Sequence, residues 1–356
     1  MKRFFIAAIL MFTALCAGAQ VHLQHPALNI AYGTFSLKNP EVLGEATTTA
    51  VQSPYQSVRF VGDVMLARDV ETKMQTYGDF YPFSSLPPTP ADAYLIGNFE
   101  SSISPAHVHT KDFNFAFSVD PQYVHILKEF GFTDLGLANN HSYDFGADGY
   151  SNTLRTLAAS QLMPFGDPAD QASTTIPVMT VGTSTRIAII PFYAVQNDPD
   201  DSVITDLINR AKKESDIQIA FIHWGTEYQD AHDPRQQALA HKLIDDGIDV
   251  IVGHHPHVVQ DVELYHDKLI FYSLGNFVFD QYFSEAVQEG LMLSLSASPT
   301  SLKFQLLPIS SIDSHTSPRL MDARMRDAFF EQLAKKSSPA LGYMIKDGFL
   351  IAPRDH

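Results

Sequence analysis

Six polar side chains of the kinds that bind metal ions follow short apolar segments of the chain. Asp63 follows residues 58–61, and Glu100 follows residues 93–96. Three further segments end in the same way, before Asn140, before His223, and before His255 with His257. Carboxylates, amide oxygens and imidazoles bind hard or borderline divalent ions. These residue types predict a metal site without thiolates, which suits Mn, Fe or Zn better than Ca.

The spacing of these residues predicts two ions rather than one. His255 and His257 flank Pro256, and on a proline-stiffened loop two imidazoles can face two neighbouring ions. Glu100 is the candidate bridge, because a carboxylate can give one oxygen to each ion. Paired ions about 3.5–4 Å apart recur in phosphoester hydrolysis. The remaining histidines are interpreted otherwise: His254 as a packing or surface residue, and His107 and His109 as solvated loop residues.

The elements that carry these residues alternate between strands and helices. The apolar runs are short, rich in β-branched residues and bounded by Gly, Pro or Asn, which is typical of buried strands. Asp120-Pro121 and Asp233-Pro234 each begin a helical segment, and these segments end at Gly131 and Gly247. We therefore predict a layered α/β fold. Ligands in such folds bind beyond the carboxyl ends of the strands.

The C-terminal third departs from this alternation. Residues 291–295 and 302–307 lie close together in the sequence and are expected to pair antiparallel. The segment from Met321 carries Phe329, Phe330 and Leu333 and predicts a terminal helix.

The N-terminus predicts export. Lys2 and Arg3 precede an apolar run that is too short to span a bilayer, and Ala17 and Ala19 form an Ala-x-Ala end. We predict a signal peptide over 1–19, with lipoprotein anchoring at Cys16 as the alternative. The mature chain would be periplasmic or extracellular, without a transmembrane segment. We divide it into an arm or linker at 20–56, a main domain at 57–310 and a C-terminal extension at 311–356.

Composition excludes several classes of protein. The chain has 356 residues and is 45% hydrophobic, which excludes a disordered protein. Its 24 Lys and Arg against 40 Asp and Glu give a net charge of −16, which argues against nucleic acid as a partner. With a single cysteine, no intrachain disulfide and no thiolate zinc cluster can form.

Six motifs in order resemble one protein family. They occur within Ser57 to Pro308 as Gly62-Asp63, Asn98-Phe99-Glu100, Ala138-Asn139-Asn140-His141 with Asp144-Phe145-Gly146, His223-Trp224-Gly225-x-Glu227-Tyr228, Gly253-x-His255-Pro256-His257-Val258 and Ser273-Leu274-Gly275-Asn276-Phe277. Together they resemble the CapA family, the capsule-synthesis and poly-γ-glutamate branch of the calcineurin-like metallophosphoesterases.

The resemblance implies a fold and roles for individual residues. The fold would be a four-layer α/β/β/α metallophosphoesterase sandwich. His141 would be the acid that protonates a leaving group. Two sets complete the site: metal ligands Asp63, Glu100, Asn140, His223, His255 and His257, and substrate or second-shell residues Asn98, Glu227, Asn276 and Asp280. The chain departs from the family at Met65, where the superfamily has a histidine, and at Ala116, near which the family often has an arginine.

Three functions follow as hypotheses. The first is a metal-dependent hydrolase of the phosphoesterase type, linked to capsule or poly-γ-glutamate production and acting on a phosphoester or an anionic polymer. The second is a non-catalytic, metal-containing partner of the proteins that synthesise or export such a polymer. The third is a metal-dependent amide hydrolase, since a pair of ions does not by itself select phosphorus over carbon.

Overall fold

A computed structural model describes residues 56–109 and 115–354 of the chain. The predicted signal peptide, the arm up to Tyr55 and the residues Phe113-Asn114 lie outside this range. The described residues form seven α-helices: α1 Arg68–Tyr77, α2 His125–Phe130, α3 Gly146–Ala159, α4 Asp201–Glu214, α5 Pro234–Asp245, α6 Ala323–Lys336 and α7 Gly342–Lys346. They also form fifteen strands in two sheets, which confirms the predicted α/β class.

The first sheet contains nine strands. These are β1 Ser57–Val64, β2 Ala93–Phe99, β3 Asp134–Gly136, β4 Met163–Phe165, β11 Asn276–Val278, β12 Glu289–Ala297, β13 Ser301–Ser310, β14 Arg319–Leu320 and β15 Phe349–Pro353. The main path runs β14-β13-β12-β1-β2-β3-β4. Strands β1 to β4 are parallel, and β11 is parallel to β1. The predicted antiparallel pair is β12 with β13.

The second sheet contains six strands. These are β5 Val178–Val181, β6 Thr185–Ala194, β7 Ile217–Trp224, β8 Val250–His254, β9 Val262–Tyr265 and β10 Lys268–Phe271, in the order β5-β6-β7-β8-β10-β9. The four central strands are parallel. The strands at the two edges, β5 and β9, pair antiparallel to their neighbours.

Three apolar clusters join the sheets and helices. One contains residues of both sheets, among them Phe60 of β1 and Ile219 of β7, so the sheets pack against each other. The second joins the first sheet to α1, α2 and α3, and the third joins the second sheet to α4 and α5. Both faces of the parallel strands are therefore covered, which explains their nearly continuous apolar sequences.

The predicted helix signals act as expected at α5. The Asp233 side chain accepts hydrogen bonds from the backbone N–H groups of Arg235 and Gln236, and Gln236 closes a capping box on the backbone N–H of Asp233. Pro234 is the first helical residue, a position whose N–H has no partner within the helix, so its absence costs no hydrogen bond. At the other predicted pair, a 3₁₀ turn at Pro121–Tyr123 leads into α2, which ends at left-handed Gly131.

The segment after residue 310 belongs to the same folded body. Strand β15 pairs antiparallel with β13 over five residues. The predicted terminal helix is α6, and its Phe330 and Leu333 are buried in the cluster between the sheets. Within the described residues, no helix is long and apolar enough to cross a membrane.

Candidate metal centre

Strand register brings polar residues of the two sheets into two rows. In the first sheet, Asp63 of β1 is aligned with Asn98 of β2 on one side and Asn276 of β11 on the other. In the second sheet, His223 at the end of β7 is aligned with His254 of β8. Asp63, Asn98, His223 and His254 lie at the carboxyl ends of parallel strands, where the predicted site was expected, and Asn276 begins β11 beside Asp63.

Asn98 connects the two rows. Its side-chain Nδ2 lies 2.8 Å from Oδ1 of Asp63, 3.4 Å from Oε2 of Glu100 and 3.2 Å from Nδ1 of His223. Its Oδ1 accepts a hydrogen bond of 3.1 Å from Asn139. Asn98 therefore fixes the spacing between two carboxylates and an imidazole.

Glu100 lies at the centre of the cluster. Its carboxylate is fully buried, and its Oε1 accepts no hydrogen bond from the described residues. The Nε2 atoms of three histidines surround that oxygen, at 3.6 Å for His257, 3.8 Å for His141 and 3.9 Å for His223. Donor atoms close enough to share a metal ion fall into two groups: Glu100 with His223 and His255, and Asp63 with Glu100 and His257. Both groups contain Glu100.

An irregular loop after β8 presents the two flanking histidines. His255 and His257 have positive φ angles of 98° and 57°, which residues other than glycine rarely adopt. The backbone N–H of Tyr228 donates to the carbonyl of Pro256, and Nδ1 of His257 lies 3.0 Å from Oδ1 of Asn276. As a result, His255 and His257 belong to different donor groups although only Pro256 separates them.

Burial and neighbouring charges shift the pKa values of the five residues that make up the two donor groups. Burial raises the pKa of Glu100 well above its usual range. Although burial opposes ionisation, the imidazoles of His254 and His257, with Nδ1 atoms 3.5 and 3.4 Å from the carboxylate, hold the pKa of Asp63 well below its usual range. Burial, reinforced by His257, lowers the pKa of His255 to about 3, and it also lowers the pKa of His223. Neutral imidazole is the form that binds metal.

His257 is the exception among these imidazoles. Burial disfavours its charged form, but the Glu100 and Asp63 carboxylates raise the pKa of His257 to about 9. A proton on His257 therefore balances the buried carboxylates. A bound cation would take over that balance, since metal binding displaces protons from its ligands.

The donor set fits divalent ions. It combines two buried carboxylates with imidazoles, and Nδ1 of His255 makes no hydrogen bond to the described residues. Buried polar atoms without partners are costly unless a ligand satisfies them. Carboxylate oxygens and imidazole nitrogens are donors that suit Mn, Fe or Zn.

His141 and Asn140 lie beside the two donor groups. Nδ1 of His141 lies 3.0 Å from Oδ2 of Asp144, and its ring stacks on Phe117 with centroids 3.9 Å apart. Oδ1 of Asn140 lies 2.8 Å from Nε2 of His223. The structure thus brings both residues to the centre, with Nε2 of His141 facing Glu100.

Two of the sequence-predicted site residues lie further out. Asp280 is ion-paired with the guanidinium of Arg68 and accepts a hydrogen bond from the backbone N–H of Asp69. Glu227 is exposed at the rim. Next to it, burial and the Glu227 carboxylate raise the pKa of Tyr228 to about 12.

Sequence reasoning missed three residues of this site. Asp144 orients His141, and Asn139 donates to Asn98 and accepts from the backbone N–H of His141. Both lie in the conspicuous polar segment at residues 138–146, which was the available signal. The guanidinium carbon of Arg68 lies 4.5 Å from the centroid of the Phe117 ring. Arg68 therefore brings an arginine side chain next to the segment that contains Ala116, from a different part of the chain.

Four other residues were singled out in the sequence, and the structure supports the interpretation of some of them but not of all. His254 is fully buried, and its ring packs 4.2 Å from Phe221, so its packing role is confirmed. Met65 is buried in the apolar cluster under α1. His107 is half-buried rather than solvated, with its Nε2 3.2 Å from the buried Glu71 carboxylate. His109 is an exposed loop residue, as interpreted, although its Nδ1 lies 2.9 Å from the same carboxylate.

The fold and the site together define a two-sheet α/β protein with a carboxylate and imidazole centre at the strand ends. A family model described as bacterial capsule synthesis protein PGA_cap matches residues 57–281. The chain belongs to this family.

Similar proteins come from two bacilli. The chain is 32% identical over 333 residues to a Bacillus subtilis (strain 168) protein named PGA biosynthesis protein CapA, covering 88% of this chain and 87% of that protein. It is 30% identical over 321 residues to the capsule biosynthesis protein CapA of Bacillus anthracis, covering 84% and 78%. These matches confirm the resemblance to the CapA family.

Proposed function

We propose that the protein is an exported, metal-dependent hydrolase of the phosphoesterase type that acts in capsule or poly-γ-glutamate production. Its two sheets and covering helices would then be the four-layer metallophosphoesterase sandwich. The observation that carries the proposal is the buried Oε1 of Glu100, shared by two donor groups. A carboxylate shared by two donor groups could bridge a pair of ions, and paired ions recur in phosphoester hydrolysis.

Some residues of the site would bind the metal ions, and others would orient those ligands. Asp63, His257 and Glu100 would hold one ion, and Glu100, His223 and His255 the other, with Asn140 beside His223. Asn98 and Asn276 would orient Asp63 and His257 through the contacts described above. Two bound divalent ions supply Lewis-acid activation of a phosphoester and of water.

His141 would act as the general acid. Its Nδ1–H donates to Asp144, so Nε2 is the atom free to exchange a proton with the leaving group. The hydrogen bond to the Asp144 carboxylate would also hold the orientation of the ring. The Phe117 stack restricts the same ring from its face.

The substrate class follows from the relatives and from charge. The matched proteins are named for PGA and capsule biosynthesis, so an anionic envelope polymer or a phosphoester made during its synthesis is the proposed substrate. The net charge of −16 would repel a long polyanion. Bound cations would offset that repulsion at the site itself.

The first experiment compares hydrolysis of bis-p-nitrophenyl phosphate with Mn²⁺ by the wild type and by His255→Ala. We expect turnover by the wild type and a loss of at least about 100-fold in the variant. His125→Ala, at an exposed position on α2, is the matched control and should retain full activity. Equal inertness of all three proteins, with metal bound to the wild type, would refute phosphodiester hydrolysis.

Amide hydrolysis is the second candidate function. It is favoured by the name of the B. subtilis relative, which refers to PGA, since poly-γ-glutamate is joined by amide bonds. Incubation of the metal-loaded protein with poly-γ-glutamate separates the outcomes by mass spectrometry. Release of glutamate oligomers supports this candidate, whereas binding without cleavage supports the non-catalytic partner.

Export is proposed from the sequence of residues 1–19. Expression of the full chain with a C-terminal tag, followed by fractionation, tests it. We expect a periplasmic or extracellular product that begins after Ala19. A Cys16→Ser variant that releases a previously membrane-bound protein would instead support lipoprotein anchoring.

A further inference from the structure

A third donor cluster lies outside the centre described above. It consists of Glu71 on α1, His107 in the loop after β2, and Asp120 at the start of the 3₁₀ turn before α2. One donor atom from each of these residues lies within 4.8 Å of the other two. This cluster shares no residue with either donor group that contains Glu100.

Glu71 is the unusual member of the cluster. It is only 1% exposed, and its Oε2 accepts no hydrogen bond from the described residues although Nδ1 of His109 lies 2.9 Å away. Its Oε1 accepts a hydrogen bond of 3.0 Å from Gln75 and lies 3.2 Å from Nε2 of His107. A buried carboxylate oxygen without a hydrogen bond is expensive unless a cation compensates it.

His107 is oriented as a metal-ligating histidine is. Its Nδ1 lies 2.9 Å from the hydroxyl of Ser118, and this contact leaves Nε2 directed at Glu71. Ligating imidazoles generally use their second nitrogen for such an outer contact, which fixes the tautomer and the ring orientation.

The charge balance also calls for a cation. Glu71 and Asp120 bring two negative charges, and neutral His107 brings none. The Asp120 oxygens accept hydrogen bonds from the backbone and side-chain nitrogens of Gln122, and neither donor is charged. A divalent ion bound by the cluster would neutralise both carboxylates.

We propose that Glu71, His107 and Asp120 form a structural site for a zinc-class divalent ion. One imidazole and two carboxylates are donors that suit Zn²⁺. The ion ties α1 to the loop after β2 and to the 3₁₀ turn. It differs from the ions of the proposed function, and the proposal does not depend on hydrolytic activity.

The site is connected to the centre through neighbouring residues. Ser118 contacts His107, while adjacent Phe117 stacks on His141 and donates its backbone N–H to Asp144. An ion that fixes the Ser118 segment therefore also fixes the position of Phe117. Its role is one of positioning, because none of its ligands faces Glu100.

The test measures Zn²⁺ binding by calorimetry to the full chain after chelation. The wild type is compared with His107→Gln and Asp120→Asn, which keep the side-chain size, and His125→Gln serves as the exposed control. We expect both variants to bind one zinc ion fewer per chain, and the control to bind as the wild type does. Unchanged stoichiometry in both variants, with folding verified by circular dichroism, would overturn the proposal.

Anomalous diffraction at the zinc edge then locates the ion. A peak within bonding distance of Nε2 of His107 supports the site, and its absence from crystals saturated with Zn²⁺ refutes it. Repeating the calorimetry in a Glu100→Gln background separates the two claims. Loss of the central ions there, with the His107-dependent ion retained, shows that the sites are independent.

Discussion

The ring of Phe117 stacks on the imidazole of His141 with centroids 3.9 Å apart and planes inclined by 22°. Its backbone N–H also donates to Oδ2 of Asp144 at 2.6 Å. Phe117 therefore braces both members of the His141–Asp144 pair.

Replacing Phe117 tests this brace. Phe117→Leu keeps the backbone donor but removes the stacking face, so we expect turnover to fall by about 10- to 100-fold through misplacement of His141. Metal content, measured by plasma mass spectrometry, should stay unchanged. Phe115→Leu, in the same segment but 81% exposed, should have no effect. Equal loss in both variants would contradict the brace.

A general-acid role for His141 predicts sensitivity to the leaving group. His141→Gln should slow hydrolysis by about 10²- to 10⁴-fold for an alkyl leaving group, which needs a proton to depart. The loss should be smaller for p-nitrophenolate, which leaves without one. Asp144→Asn should show the same pattern more weakly. If both substrates lose activity equally, His141 acts through binding instead.

The sharing of Glu100 predicts a graded loss of metal. Glu100→Gln should reduce occupancy at both positions, because both donor groups contain this carboxylate. His255→Ala should remove one ion, and His257→Ala the other. Metal content after dialysis against a weak chelator distinguishes these outcomes. Retention of full metal content by Glu100→Gln would exclude a bridging role.

Gly62 is predicted to be irreplaceable because of a close backbone approach. A Cβ at this position would lie 1.8 Å from the carbonyl oxygen of Gly275, whereas one at Gly342 would meet nothing within 4 Å. Gly62→Ala should lower the free energy of unfolding by about 3 kcal/mol or more, since β1 and residue 275 must separate. Gly342→Ala, on helix α7, should raise it by about 0.5 kcal/mol. Urea denaturation measures both.

His232 predicts a pH-dependent part of stability. Its hydrogen bond to Asp261 raises the pKa of His232 above its usual value of about 6.5. The stabilisation is therefore complete below pH 6.5 and is lost as pH rises through the higher pKa of the folded state. His232→Gln should cost about 1 kcal/mol at pH 6 and less at pH 9. Asp261→Asn should abolish the difference between the two pH values. A cost independent of pH would contradict this assignment.

The sequence predicted the strand ends because the apolar runs are local signals. Asp63, His223 and His255 each follow such a run within three residues, and the parallel register brings the strand ends together. The helix boundaries at Asp233 and Gly131 were equally legible, because capping chemistry acts within a few residues.

Other parts of the site depend on contacts between distant segments. Arg68 contacts Asp280 and Phe117, and no local sequence pattern predicts either contact. His107 and His109 lie in a polar loop, which predicts exposure to solvent. In the structure, Glu71 of α1 contacts both imidazoles. Such residues require the packing of α1 against the loop after β2, which local patterns do not encode.

The pairing of Val58 with Leu295 has a consequence for how the chain acquires its structure. Strand β1 emerges first during synthesis, but one of its lateral partners follows only after the whole second sheet. Closing so long a loop is entropically costly, and high contact order slows folding. A nascent chain therefore cannot finish its N-terminal strands as they appear. The centre, which needs Asp63 from the beginning of the fold and His257 from beyond β8, matures after synthesis is nearly complete.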